Sequence, residues 1–570
     1  RYNSGFLTAG QGGQYIFGNQ FSSGVFAFAE DEPQNLYVSL DRLSSTASQP
    51  NFNRNYYYPQ LYFFAQDSFR VSSRLTLNYG FRYDNFGGPE NTGANKDALL
   101  QLGTGGDFNA RLASASLVQP TSGNETIFGA DNHDFAGRFG FSWDPFGKSK
   151  TVFRGGYGIF YDPPFDNIWQ NVRSNGLAVV EYKLSTSAST NYLSPILSVL
   201  TPYASQTQGL LAAADFPAIT FMDPKLRNGY AQDSFLGVQQ SIGENLTLEV
   251  NGTASLGRRL ITTDLVNRPF TVGEGRENPE LPNVAYRSSQ GNSDYTALSA
   301  IAKYHWRTLL VQAAYTWSHA IDDQSDPLNG DFFNLNFTSA VNNASSTSLL
   351  SSFAQQFNSN GDRGNSDFDQ RQNLFLLGIY RSDGRRLLTR GWQVSFLAAF
   401  RTGFPYTVTA ENDIVSGGQI ENQRADLILP GAATLANPTP GPGGVYLLNP
   451  AAFGVPTTTV GDTGRNEFRG PGLYNVDFSL ARSFSVPRLR EGTRLTIRAD
   501  AFNILNHANL NNPDNLLGDS SCVVQSGKLQ CTPTFGLATY GRQGTASGFP
   551  AVSPVNETAR QIQLLLRIEF

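Results

Sequence analysis

Four histidines, two cysteines and two short aspartate clusters are the residues here whose types and spacing could do site chemistry. His133, His305, His319 and His507 are scattered, and none stands in H-E-x-x-H or another paired spacing, so the usual zinc geometries are not expected. No Gly-x-Ser-x-Gly, Walker A or Gly-x-Gly-x-x-Gly motif appears in the strand–turn–helix context it needs. The sequence therefore offers no catalytic residue and no cofactor site, and an enzyme is not expected. Asp362, Asp367 and Asp369 are carboxylates in a Gly/Asn loop, a ligand type that calcium takes. Their spacing is not that of an EF-hand, and they read better as the polar start of a strand. Asp322, Asp323 and Asp326 read the same way. Cys522 and Cys531 lie nine positions apart in a Gly/Ser/Asn-rich segment, a spacing that suits a loop disulfide in an oxidising compartment. The alternative is two unpaired thiols. Asn437-Pro438-Thr439-Pro440-Gly441-Pro442 reads as a stiff, extended loop.

The elements that must position these residues come from composition and periodicity. The 570 residues carry 16% charged side chains, against about 25% in ordinary globular chains. Aromatics reach 12% and glycines number 56, a mix unlike a disordered chain. The net charge of −5 gives no basic footprint, so no nucleic-acid partner is expected. No run approaches the ~18–20 apolar residues of a membrane helix. A membrane-spanning form of this chain would be a closed β-barrel.

Residues 1–60 are irregular, with Leu36–Leu40 the one clear strand candidate. From residue 61 a cadence begins. Strands are expected at Leu61–Arg70 and Arg74–Asp84, Phe135–Trp143 and Thr151–Tyr161, Ser234–Ile242 and Leu246–Thr253, Tyr295–Tyr304 and Leu309–Trp317, Gln372–Tyr380 and Gly391–Arg401, and Leu473–Phe484 and Thr493–Phe502. Each pair is joined by a short turn, and long loops separate the pairs. Short turns alternating with long loops, around strands of about ten residues, are the pattern of a transmembrane antiparallel barrel with periplasmic turns and extracellular loops. A soluble sandwich would instead turn every 8–12 residues or so.

The last ten residues carry the same signal. Ile562, Leu564, Leu566, Ile568 and Phe570 share one face; Gln561, Gln563, Leu565, Arg567 and Glu569 share the other. Charges keep to one parity in most other strands; the first is less clean, since Asp67 and Arg70 differ in parity, with Arg70 at its end. Arg138 opposes Phe139, Phe141 and Trp143; Glu249 opposes Leu248 and Val250; Asp477 opposes Val476 and Phe478. Tyr83, Trp143, Tyr161, Tyr304, Trp317 and Trp392 fall near strand ends, where an interfacial aromatic girdle would sit.

Several segments resemble Oar-like TonB-dependent transporters of bacterial outer membranes. They include Tyr62-Phe63-Phe64-Ala65-Gln66-Asp67-Ser68-Phe69-Arg70 with Arg74-Leu75-Thr76-Leu77-Asn78-Tyr79-Gly80-Phe81-Arg82-Tyr83, Tyr315-Thr316-Trp317-Ser318-His319, Asn449-Pro450-Ala451-Ala452-Phe453, and Arg498-Ala499-Asp500-Ala501-Phe502-Asn503. The likeness runs over about residues 60–570. It implies an all-β, 22-strand outer-membrane barrel with a plugged lumen, which binds an unknown extracellular substrate with loops and lumen and moves it across the outer membrane. Implied partners are outer-membrane lipid, the TonB complex, and the barrel-assembly machinery, for which the terminal Phe570 would be the signal. The chain departs from the family pattern at its start, where no plug, TonB box or regulatory-like domain is visible. Residues 1–570 are therefore expected to be one amino-terminally truncated barrel domain, with 1–60 an irregular start and 61–570 six hairpins plus a terminal strand. The competing reading is a non-transporting outer-membrane adhesin or scaffold.

Overall fold

The computed structural model describes residues 53–183, 219–268, 275–282, 284–325, 353–384, 386, 389–410, 424–456, 461–485, 493–518, 520–525, 528–540 and 559–569, with short pieces at 2–4, 14–17, 28, 35–41 and 51. Thirteen long strands form one antiparallel wall: β1 (Leu61–Arg70), β2 (Leu75–Asn85), β3 (Asp134–Trp143), β4 (Thr151–Asp162), β5 (Gly229–Ile242), β6 (Leu246–Val266), β7 (Val284–Trp306), β8 (Leu309–Asp322), β9 (Gln372–Asp383), β10 (Arg390–Arg401), β11 (Leu473–Ser485), β12 (Arg494–Phe502) and β13 (Gln561–Glu569). Each strand pairs with its sequence neighbours in an unbroken meander, with β1 and β13 at the two ends of the order. All thirteen wall strands stand where the alternation predicts them. The described strands before residue 61 stand apart from the wall. Tyr2–Ser4 pairs with Arg54–Tyr57, and Asn35–Asp41 pairs with Gln14–Ile16 and Leu177–Lys183, in small sheets apart from the wall.

The short connections are tight because their residues fit tight turns. Asp144 accepts hydrogen bonds from the Gly147 and Ser149 amides at 2.9 and 2.7 Å, and Gly147 takes φ 66°, a conformation glycine adopts without steric cost.

Register carries one apolar face across the whole wall. Leu75 faces Trp143, which faces Phe153; Val250 faces Ala300; Phe396 faces Phe478; Ile497 faces Leu566. Residues directly opposite in a pleated pair project to the same side, so these belong to one surface. Its aromatics cover glycines on the next strand: a Cβ on Gly155 would meet the Phe141 ring at 2.5 Å, and one on Gly378 the Phe396 ring at 2.1 Å. The surface is exposed along its length, with Leu564 at 78% and Leu236 at 62%. No helix among the described residues is long and apolar enough to cross a membrane. A wall of antiparallel strands with an exposed apolar face is what a bilayer requires of a spanning sheet.

Aromatics mark both rims of that surface. Tyr83 packs on Phe135 at 4.9 Å, Tyr161 on Tyr230 at 5.4 Å and Phe400 on Tyr474 at 6.1 Å near the long-loop end. Trp143, Tyr304 and Tyr380 are exposed near the short-turn end.

The long connections are not plain loops. Strands β6 and β7 extend well past the predicted ends at Thr253 and Tyr295, and the upper part of β7 takes on Ile219–Met222 as a parallel neighbour. Register shifts between Gly257 and Leu260 and between Leu260 and Thr262 break the alternation there, which is why the sequence reads as loop. Above the wall, short elements build a cap with its own apolar clusters. Trp169 is fully buried, with Tyr56 and Tyr58 edge-on to its ring at 4.9 and 5.9 Å. A second cluster holds Leu112 of helix α1 (Phe108–Ala113), Phe221, Val266 and Tyr286; a third holds Tyr406, Leu448, Phe453 and Phe535. The stretch 437–442 is not a free loop. Thr434–Gly441 pairs with Gly444–Leu448, and Pro438 and Pro440 stand on the outer strand of that small sheet, where a missing N–H does no harm to a ladder.

Candidate functional site

The face opposite the apolar one is the polar side of the wall. Arg82 pairs with Asp84 at 2.7 Å, Arg154 with Glu249 at 3.1 Å and Arg498 with Asp500 at 2.7 Å. Two of these are i,i+2 pairs along one strand, so both partners share a face by strand periodicity alone. Two charges on the apolar face have local partners. Asp67 accepts a 2.8 Å hydrogen bond from the Tyr79 hydroxyl, and Arg482 lies over the Trp392 and Phe484 rings at 4.9 and 4.6 Å.

In the half of the wall formed by β1–β7, the polar face carries a trough of about 940 Å³. Gly140 and Gly156 face each other in its floor. Arg138, Phe160, Asp233, Phe235 and Tyr295 rise around them. The Arg138 guanidinium lies 4.6 Å from the centre of the Phe160 ring.

Above the strands, a network of arginines and aspartates ties the cap segments together. Asp369 is buried and pairs with Arg371 at 3.0 Å and Arg469 at 2.6 Å, and it accepts the Ala320 amide at 2.8 Å. Asp362 pairs with Arg424 and accepts the Ala354 amide. Asp322 pairs with Arg465 at 2.7 Å, Asp323 with Arg363 at 3.5 Å, and Asp367 accepts from Asn466 at 2.6 Å. Guanidinium forks and amides thus occupy the carboxylates that a metal ion would need. Among the described residues no three of His, Cys, Asp and Glu group as a metal site. Asp326 lies outside the described residues.

A second buried polar cluster sits lower in the cap. Arg54 pairs with Asp97 at 2.9 Å, the Tyr56 hydroxyl donates to the same carboxylate at 3.0 Å, and the Asp97 amide donates to Glu125 at 2.8 Å. Burial, reinforced by the neighbouring Asp97 charge and opposed by the Asp97 amide, pushes the Glu125 carboxyl up to about 7. Burial alone would raise Asp131, but Arg227 at 2.5 Å and His133 hold it below the ordinary carboxylate value.

The structure brings the two aspartate groups into one network, where Arg465 lies near both Asp322 and Asp367, and gives three of the histidines separate partners. His133 contacts Asp131, His319 contacts Asn365 and His507 contacts Asn509. Cys522 and Cys531 are directly opposite each other in the hairpin Ser520–Gln525/Lys528–Pro533. Phe570 lies outside the described residues. The trough and the cap network were not anticipated. Strand parity places Arg138, Asp233 and Glu249 on the polar face, but only the register brings the first two to one height.

An exposed apolar face, aromatic rims, a charged opposite face and a folded cap define an outer-membrane β-barrel wall. The model of the outer membrane beta barrel domain family matches residues 1–563. The chain belongs to that family. No curated protein matches it. Similar solved structures include the outer membrane transporter YddB from Escherichia coli (11% identity, TM-score 0.40, covering 89% of this chain and 53% of that one). Others are the pyoverdine receptor FpvA from Pseudomonas aeruginosa (11%, 0.41, 92% and 44%) and the FrpB iron transporter from Neisseria meningitidis (8%, 0.36, 93% and 58%). The chain spans about half the length of these structures.

Proposed function

We propose that the chain forms the wall and extracellular cap of a TonB-dependent outer-membrane receptor that takes up a solute. The observation that carries this reading is the pairing of an apolar outer face with a charged, trough-bearing inner face beneath a folded cap. Any barrel with a wet lumen needs both faces; the trough and the folded cap are what favour a receptor over a scaffold. The buried ion pairs of the cap tie its segments together. Enzyme chemistry has no support in the residues.

In this reading the wall is one part of the barrel. Strands β1 and β13 both run from the long-loop end to the short-turn end, as strands an even number of steps apart in a meander must. Pairing them directly would be parallel, so an all-antiparallel barrel closes only with an odd number of further strands. The TonB complex would engage a segment beyond the wall, and the barrel-assembly machinery would read the terminal strand through Phe570.

The test is depletion of a defined solute mixture from the medium, followed by mass spectrometry. It compares cells carrying the receptor, cells lacking it, and cells with the receptor but no TonB. Depletion that needs both supports the proposal. Depletion that needs neither, with intact surface binding, favours the adhesin or scaffold.

A further inference from the structure

Six consecutive strands, β2 to β7, place one row of residues on the inner wall at a single height: Gly80, Arg138, Gly158, Asp233, Ser255 and Tyr295. The row contains one cation and one anion, and they do not pair. Gly158 stands between them and offers no side chain to bridge the gap. Two interstrand spacings set the Arg138 and Asp233 backbones roughly 10 Å apart. The Asp233 Oδ1 is buried without a hydrogen-bond donor among the described residues. Arg138 is held against the Phe160 ring, and the glycine at 158 makes room for that stack: a Cβ there would meet the ring at 2.8 Å.

A buried carboxylate oxygen with no donor calls for a physical explanation. Elsewhere on this face the carboxylates of Asp84, Glu249 and Asp500 all have arginine partners. Here Oδ1 has no such partner, and the guanidinium of the row, two strands away, lies over the Phe160 ring. Beneath the two charges, Gly140 and Gly156 pave the floor, where a glycine pair allows a main chain to approach closely. The space between has the volume of a small-ligand pocket.

We propose that this trough binds a short zwitterionic peptide, with its carboxylate on Arg138 and its ammonium on Asp233. The proposal rests on the reading of the inner wall as the lining of a solute passage. An extended tripeptide is roughly 10 Å long, comparable to the spacing of the two backbone positions that carry the charges. Its peptide groups lie over the glycine floor.

The test is calorimetric titration of the full-length protein in detergent micelles with trialanine, N-acetyl-trialanine and trialanine amide. The proposal expects trialanine to bind about tenfold or more tightly than either blocked form, since each lacks one charge-assisted contact. Arg138→Gln should bind trialanine and its amide alike, while still rejecting the acetylated form. Asp233→Asn should show the reverse. Equal binding of all three probes to the unaltered protein overturns the proposal, as does no binding of trialanine at millimolar concentration, the result if another part of the polypeptide fills the trough. Neither outcome touches the transport reading, because the titration needs no TonB. Conversely, discrimination without TonB-dependent uptake leaves the site standing and removes the transport reading.

Discussion

Arg469 and Asp369, one hundred residues apart in sequence, meet at 2.6 Å in the cap. Arg371 approaches the same carboxylate at 3.0 Å, so two guanidinium groups share one anion that is almost fully buried. Removing the carboxylate would leave two cations facing each other and the Ala320 amide without its acceptor. Breaking a fully buried pair from one side costs about 3–5 kcal/mol; here both guanidinium groups keep about a third of their side-chain surface in water, so the loss should fall below that range. Asp369→Ala should therefore release the segments around 364–371 and 465–469 to limited proteolysis while the wall stays folded. Protease digestion of intact cells, read by peptide mapping, checks this. Unchanged protection would mean that the apolar clusters hold the cap by themselves.

Cys522 and Cys531 face each other across a hairpin in a long connection. We predict a disulfide in the exported protein, as an oxidising compartment favours. Unreduced tryptic peptides analysed by mass spectrometry should contain the two cysteines as one cross-linked species. Two free thiols would remove the bond from the account.

Glu125 gives the cap a pH dependence whose sign is fixed. Its carboxyl titrates near 7 when folded, above the ordinary value of 4.5, so the folded state holds the proton more tightly than the unfolded state. Its contribution favours folding below about pH 4.5 and is lost as pH rises toward 7. The difference across that window amounts to about 1–3 kcal/mol. Thermal unfolding in micelles at pH 5 and pH 7.5 should show a smaller pH effect for Glu125→Gln than for the unaltered protein. An identical effect in both would assign the dependence to other groups.

The wall was legible in the sequence because a strand's side chains alternate and a bilayer punishes any charge on the wrong face. That pressure leaves a mark at every second residue, as in Leu75, Leu77, Tyr79 and Phe81. The mark fades where lipid ends. In β6 the register shifts around Leu260 and the alternation breaks, so the sequence pattern ends at Thr253 although the strand runs to Val266. The cap left no readable pattern because its elements are short, some only two residues, and its core is assembled from distant segments, as when Tyr56 and Trp169 meet. The Arg138–Asp233 row depends on register, which links residues that no local window contains. Asp67 shows the reverse: its parity looked irregular, and the Tyr79 hydroxyl explains how an anion sits on that face.

The central claim is that one face of the wall meets lipid and the other meets water. Strand β13 tests it with two adjacent residues. Leu566 lies opposite Ile497 on the apolar face and is 66% exposed; Leu565 lies opposite Arg498 on the polar face. An arginine on the lipid face costs roughly 2–4 kcal/mol near the midplane and about 0–1 near an interface. Leu566 stands a few residues from the short-turn end, so Leu566→Arg should fall between those limits. Leu565→Arg should cost less. The measurement is a denaturant titration of the complete barrel, folded in bilayers, for both variants. A larger loss of stability at Leu566 is the predicted result. Equal losses, or a larger one at Leu565, would contradict the assignment of the two faces and the membrane wall built on it.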